Sequence, residues 1–327
     1  MLRKELIEKL KNPKTLDQTE TDLGWISTGC LSLNKIISGN YQNGIPIGAI
    51  TQLRGDSSTG KTLFLTSILI EAQKLGYYTK LVDAENAYNE QFARMLGIDP
   101  SNLLYSNPET LEDAFADIES TIDSIREHDK DTPIVIGIDS LAVLGTRKEF
   151  SIENYEHTPT DGAHRALVTS TCFRRINPIL RKQKVALIVI NQIRSKIGII
   201  YGSPETNASG GRSLEYYLGV DLKTFRREKL KDENDSPRGI RGEIECTKNK
   251  YSIPYKKCEF ELIFNQGLSK FHGLLDEFVA SGVISKSPNG RCQLGETKFT
   301  QKDFINLIFD KDNRDFDIIR QQLELTI

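Results

Sequence analysis

From Ile26 to about Gly267, short runs of β-branched and apolar residues alternate with longer amphipathic stretches of helical period. The apolar runs fall at 49–53, 77–82, 102–105, 134–139 and 185–191, and helical patterns at 62–75, 111–126 and 163–184 separate several of them. Runs that are apolar at successive positions predict strands covered on both faces, and strand–helix alternation predicts parallel pairing. The expected fold is therefore α/β, with a mostly parallel central sheet covered by helices. Residues 220–264 carry more strand-like runs without long helices between them, which predicts an antiparallel extension. Ahead of this core, Leu2, Leu6, Ile7 and Leu10 share one face of a short predicted helix over 2–11, ended by Pro13 and followed by a polar linker over 14–24. Beyond Gly267 the pattern predicts a small α+β unit: a helix over 273–281, a strand or turn near 283–294, then helices.

A length of 327 residues fits two domains at about 100–200 residues each. The division expected is an arm over 1–25 that docks subunits, a core over 26–267 and a small C-terminal domain over 268–327. A hydrophobic fraction of 38% with 27% charged residues describes an ordinary folded chain rather than a disordered one. The longest apolar runs, 134–138 and 186–190, are too short to cross a bilayer, so no membrane partner is expected. The basic N-terminus is followed by a charged amphipathic stretch, which does not fit a secretory signal. Five cysteines, widely spaced and without C-x-x-C, argue against zinc or a disulfide framework and for a reducing cytoplasm. With 43 Lys and Arg against 45 Asp and Glu, the net charge of −2 argues against a nucleic-acid partner only if charge is spread evenly. It is not. Between Ala163 and Ser203 lie Arg165, Arg174, Arg175, Arg181, Lys182, Lys184, Arg194 and Lys196, with no Asp or Glu. Such an interval suits phosphate contacts, although Arg181, Lys182 and Lys184 also fit a cationic helix end.

Chemistry enters at Gly55-Asp56-Ser57-Ser58-Thr59-Gly60-Lys61-Thr62, which matches G-x-x-x-x-G-K-[ST] between an apolar strand and an amphipathic helix. In such a loop, backbone N–H groups and the helix N-terminus cradle phosphates, the lysine reaches the β- and γ-phosphates, and the threonine hydroxyl ligates Mg²⁺. This points to ATP and Mg²⁺ as cofactors. Asp139, at the end of the apolar run 134–139, is the expected acid that holds Mg²⁺ through water. Glu85, just past the run 77–82, is a candidate general base; the alternative is that Asp83 and Glu85 cap the next helix, which begins near Asn89.

Taken in order, several stretches resemble the bacterial RecA-type recombinases and their phage-encoded relatives. They are Ile26-Ser27-Thr28-Gly29 with Leu31-Ser32-Leu33, the phosphate loop, Asp83-Ala84-Glu85, the run from Ile190 through Gln192 to Gly198, Tyr201–Thr206 to Gly210-Gly211, and Lys248-Asn249-Lys250. The resemblance covers about 26–294. It implies that Glu85 is the general base, Phe92 stacks on adenine, and Gln192 senses the γ-phosphate. It also implies that Lys248 and Lys250 reach across a subunit boundary to the neighbour's ATP; the pattern alone reads these lysines as solvated strand residues. The second DNA loop would include Arg194, Lys196, Ile197, Gly198, Tyr201, Gly210 and Gly211, with Arg212 standing where the family usually has Asn. Arg174 and Arg175 match the family's basic pair, Arg165 belongs to the same interval, and the first DNA loop would fall at 145–162, where the match degrades. Residues 267–327, with eight basic and nine acidic residues, lack the long acidic tail many relatives carry, which implies readier access to DNA.

The function implied is an ATP-dependent homologous recombination protein of DNA repair. It polymerises as a helical filament on single-stranded DNA, pairs it with homologous duplex, and hydrolyses ATP in a DNA-stimulated way, in the cytoplasm at the nucleoid. A hexameric replicative helicase of the same fold is the alternative, and a regulatory, clock-like ATPase that binds no DNA is a third class.

Overall fold

A computed structural model describes residues 23–151, 159–192 and 211–325, so the helix expected over 2–11 and most of the linker lie outside the described residues. Strands β1 (Trp25–Ile26) and β2 (Ile45–Pro46) form a small antiparallel pair around helix α1 (Leu31–Ser38). The main sheet contains β3 (Ile50–Gly55), β4 (Tyr78–Asp83), β5 (Leu103–Ser106), β6 (Ile134–Asp139), β7 (Val185–Gln192), β8 (Leu218–Lys231), β9 (Pro237–Asn249), β10 (Lys257–Ile263) and β11 (Gly267–Leu268). Their spatial order is β11-β10-β9-β8-β3-β7-β6-β4-β5. Every pairing from β8 to β5 is parallel, and every pairing from β8 to β11 is antiparallel. The α/β class and the antiparallel extension therefore stand as the sequence predicts.

Helices α2 (Lys61–Lys74), α3 (Glu90–Leu96), α4 (Leu111–His128), α5 (Arg147–Phe150), α6 (Pro159–Lys182) and α7 (Gly211–Tyr217) connect these strands. Alternation along each strand divides the core between two faces. On β7, Ala186, Ile188 and Ile190 join Phe64, Leu65 and Ile68 of α2. The intervening Val185, Leu187 and Val189 join Ile118 and Ile122 of α4 and Phe173 and Ile176 of α6. Strands β3 and β7 outrun their apolar runs by one or two residues, because the ladder continues through polar positions: Arg54 pairs with Asn191, and Gly55 with Gln192.

A third core gathers Phe278 of α8 (Leu274–Ala280), Phe304 and Ile308 of α9 (Phe304–Ile308), and Ile319 of α10 (Asp317–Gln322). Beside it lies a three-stranded sheet of β12 (Ser285–Lys286), β13 (Cys292–Leu294) and β14 (Thr297–Phe299). Leu31 and Tyr41, far away in sequence, belong to this core too. The loop 40–44 is its dock: Tyr41 OH donates to Glu277 at 2.8 Å, Asn40 Nδ2 to Glu324 at 2.8 Å, and Gln42 Nε2 to the Leu323 carbonyl at 2.5 Å. Trp25 packs edge-on against Tyr251 of the same chain, with centroids 5.4 Å apart. Among the described residues, no helix is long and apolar enough to cross a membrane.

Candidate active site

Because β3, β4, β6 and β7 run parallel, their carboxyl ends open on one edge, and β3 sits at the point where the chain order reverses, the place where open α/β sheets gather ligands. The loop from β3 to α2 turns sharply there. Gly60, with φ +86°, occupies the left-handed region immediately before α2, and a Cβ on it would press Leu262 at 3.0 Å and Ile240 at 3.2 Å. The Thr59 hydroxyl ties the loop to its own Asp56 carbonyl (3.0 Å) and to the Thr224 hydroxyl of β8 (2.8 Å). Lys61, at the first position of the 14-residue α2, is buried and donates to the carbonyls of Gly55 (3.1 Å) and Asp56 (2.6 Å). Burial lowers its pKa, against the opposing pull of Asp139, Glu85 and Asp56.

The Thr62 hydroxyl donates to Asp139 Oδ2 at 2.6 Å. Burial pushes the Asp139 carboxyl up to about 6, and the charges of Glu85 and Asp83 add to that effect, while Thr62 and Lys61 oppose it. Among the described residues, no cluster of three or more His, Cys, Asp or Glu could hold a metal ion. A hydroxyl beside one carboxylate of raised pKa, on the lip of a phosphate loop, fits Mg²⁺ that takes its remaining ligands from phosphate and water. The N–H groups of Ala84 and Glu85 donate to the Asp139 carbonyl (2.8 and 3.2 Å), which fixes the turn that presents Glu85. Glu85 Oε1 then accepts from Ser140 Oγ at 2.8 Å and from Gln192 Nε2 at 3.2 Å.

Neither acid caps the following helix. Asp83 is buried and accepts from the Tyr88 N–H (2.9 Å) and the Tyr105 hydroxyl (3.0 Å), while Asn89 caps α3 by accepting from the Phe92 N–H at 2.8 Å. Ser57, Ser58, Lys61, Thr62, Glu85, Asp139 and Gln192 line one cavity of about 710 Å³. Phe92, half-buried on α3, does not line it; the aromatic ring that does is Phe264, just past β10. Arg226 and Lys229 of β8 line it as well. No motif marks these three in the sequence, because their place depends on how the antiparallel extension folds back over the loop.

The basic residues separate by partner. Arg165 directs its guanidinium at the carbonyls of Ala142 (2.8 Å) and Leu144 (2.5 Å), so it braces the segment after β6. Arg175 pairs with Glu119 of α4 at 2.5 Å, whereas Arg174 makes no hydrogen bond or ion pair among the described residues. Arg194, Lys196, Ile197, Gly198, Tyr201 and Gly210 lie outside the described residues, as does 152–158 of the expected first DNA loop. Gly211 and Arg212 lie at the start of α7. At the far end of α7, the Lys248 ammonium donates to the Glu215 carbonyl and that of Lys250 to the Tyr216 carbonyl at 3.4 Å. Burial and the neighbouring Lys250 lower the Lys248 pKa.

Comparison with known proteins places this arrangement. Residues 8–269 match the model of the RecA N-terminal domain. The chain is 34% identical to Protein RecA of Streptomyces venezuelae over 303 residues, covering 91% of this chain and 75% of that one. Protein RecA of Clostridium acetobutylicum is 32% identical over 315 residues, covering 95% and 86%. Protein RecA of Methylobacterium sp. (strain 4-46) is 37% identical over 262 residues, covering 80% and 68%. The chain belongs to the RecA family, and with that it is a RecA-type recombinase rather than a hexameric helicase of the same fold.

Proposed function

We propose that this recombinase binds ATP with Mg²⁺ at the edge of β3, β4, β6 and β7, and hydrolyses it to ADP and phosphate when assembled on single-stranded DNA. The observation that carries the reading is the convergence of Lys61, Thr62, Asp139, Glu85 and Gln192 on one cavity, with Glu85 hydrogen-bonded to Gln192. Lys61, released from the loop carbonyls it holds, meets the β- and γ-phosphates; Thr62 and Asp139 would hold Mg²⁺, whose charge would offset that of the phosphates. Glu85 orients the attacking water and accepts its proton. Gln192, at the end of β7, meets the γ-phosphate and connects it to the segment that follows. Phe264 supplies an aromatic face for the base, and Phe92 is a second candidate from α3.

Lys248 and Lys250 complete a neighbouring subunit's site within a helical filament. Arg174, Arg175 and the segment containing Arg194, Lys196, Ile197, Gly198, Tyr201, Gly210, Gly211 and Arg212 face DNA, with Arg165 bracing one loop. Homologous duplex is then read through base pairing, not through base-edge contacts by the protein. The unit over 268–327 as distinct from the core over 26–267 is supported by the third core, built mainly from α8, α9 and α10; the arm over 1–25 lies almost wholly outside the described residues, and a cytoplasmic location is supported by the free cysteines. The test is ATP turnover with and without single-stranded DNA. Stimulation by DNA is expected, and the same turnover in both would remove the DNA-dependent reading.

A further inference from the structure

On β8, Thr224 points at the phosphate loop, and strand alternation puts Arg226 on the same face. Alternation alone would then carry Lys229 to the opposite face. The pairing with β9 shows why it does not: Arg226 lies opposite Gly242 and Glu228 opposite Arg241, so Arg227 is the extra residue of a β-bulge. Lys229 pairs with Ile240, which shares a face with Gly242 and Ile244, the partners of Arg226 and Thr224. The bulge therefore aligns Thr224, Arg226 and Lys229 in one row over the loop.

The two faces of this ribbon differ in charge balance. On the face away from the loop, Arg227 pairs with Glu243 at 3.2 Å, and Arg241 pairs with Glu228 at 3.2 Å and Glu261 at 3.0 Å. On the loop face, Arg226 reaches only the Ser58 carbonyl, at 3.5 Å, and Lys229 has no carboxylate partner among the described residues. Both side chains are exposed, and both line the cavity that holds Lys61, Thr62 and Asp139. Two cations with no carboxylate partner, aimed into a phosphate-binding cavity, are complementary to a polyanion.

We infer that Arg226 and Lys229 form a cationic wall that grips the nucleotide polyphosphate from within the same subunit, beyond the loop and the residues proposed to arrive from a neighbour. This rests on the reading of the cavity as an ATP site. A wall of fixed charge favours the more highly charged ligand, so it tunes preference for ATP over ADP as well as affinity.

Calorimetric titration of the whole protein with Mg²⁺·ATP and Mg²⁺·ADP tests it. Arg226→Gln and Lys229→Gln should each weaken ATP about tenfold, and ADP less, consistent with one charge-assisted contact. Arg226→Lys should stay within about threefold of the parent, and Arg227→Gln, one residue away on the other face, within about twofold. Melting temperature should not move in any of them, since these side chains are exposed. ATP affinity within twofold of the parent in the Arg226→Gln/Lys229→Gln double variant overturns the inference, as does an equal effect of Arg227→Gln. A Lys61→Ala arm separates the premises: if it binds ATP normally, the cavity is not the nucleotide site; if it loses ATP while the double variant keeps it, only the wall is wrong.

Discussion

Asp139 bears two opposed demands. In the proposed site, holding Mg²⁺ would need the ionised carboxylate, whereas burial beside Glu85 and Asp83 favours the neutral acid and lifts the pKa from 3.8 to about 6. A carboxyl whose pKa is raised on folding holds its proton more tightly in the folded chain, so ionisation costs stability above pH 6, and that cost fades as pH falls toward 3.8. Asp139→Asn should therefore stabilise the nucleotide-free protein by about 1–3 kcal/mol near pH 8 and by almost nothing near pH 4. Urea unfolding at the two pH values measures this, and a gain that does not shrink at low pH would contradict the sign. The parent should also lose Mg²⁺-dependent ATP affinity as pH drops through about 6. Glu85 poses the complementary question, since Glu85→Gln keeps an acceptor for Ser140 and Gln192 but removes the proposed base. Turnover should fall about 10²–10⁴-fold with ATP affinity preserved, and normal turnover in that variant would remove Glu85 from its role.

Among elements, legibility in the sequence followed how local the cause was. The phosphate loop, the strand ends bearing Asp139 and Glu85, and the core helices are dictated by neighbours along the chain: a glycine at positive φ, a run of apolar residues, a helical period. Lys229 and Phe264 escaped because a single bulged residue and the return of β10 decide which way they face, and Arg226 because the antiparallel extension must first fold over the loop. The loop 40–44 escaped for the same reason. Nothing in its sequence marks a long-range contact, yet Tyr41 is buried in the C-terminal core and hydrogen-bonds Glu277 across 236 positions. Tyr41→Ala should thus cost about 3–5 kcal/mol through cavity and lost hydrogen bond, with α8–α10 becoming protease-sensitive before the main sheet. Cleavage starting within β3–β7 instead would show that the loop is not the dock.

At the scale of the whole molecule, the net charge of −2 conceals a division of labour, with cations concentrated where polyanions are expected and acids paired elsewhere. Lys248 and Lys250 are the sharpest case. Within the chain they rest on carbonyls at the end of α7, and Lys248 sits opposite Asp221, which pairs with Gln52 of β3, short of the carboxyl end at Gly55. If they serve an ATP, it must belong to another copy, and a head-to-tail interface repeated along a filament supplies one. Mixing distinguishes this from action within one subunit. Glu85→Gln and Lys248→Ala homofilaments should each turn over ATP poorly. In an equal mixture, a Lys248→Ala subunit offers an intact Glu85 site, and a Glu85→Gln neighbour offers an intact Lys248. Random order along a directional filament makes about one quarter of the interfaces whole, so DNA-stimulated turnover should recover to about a quarter of the parent's. Were both residues needed in the same subunit, no mixture would contain a complete site, and turnover would remain at the average of the two inactive parents.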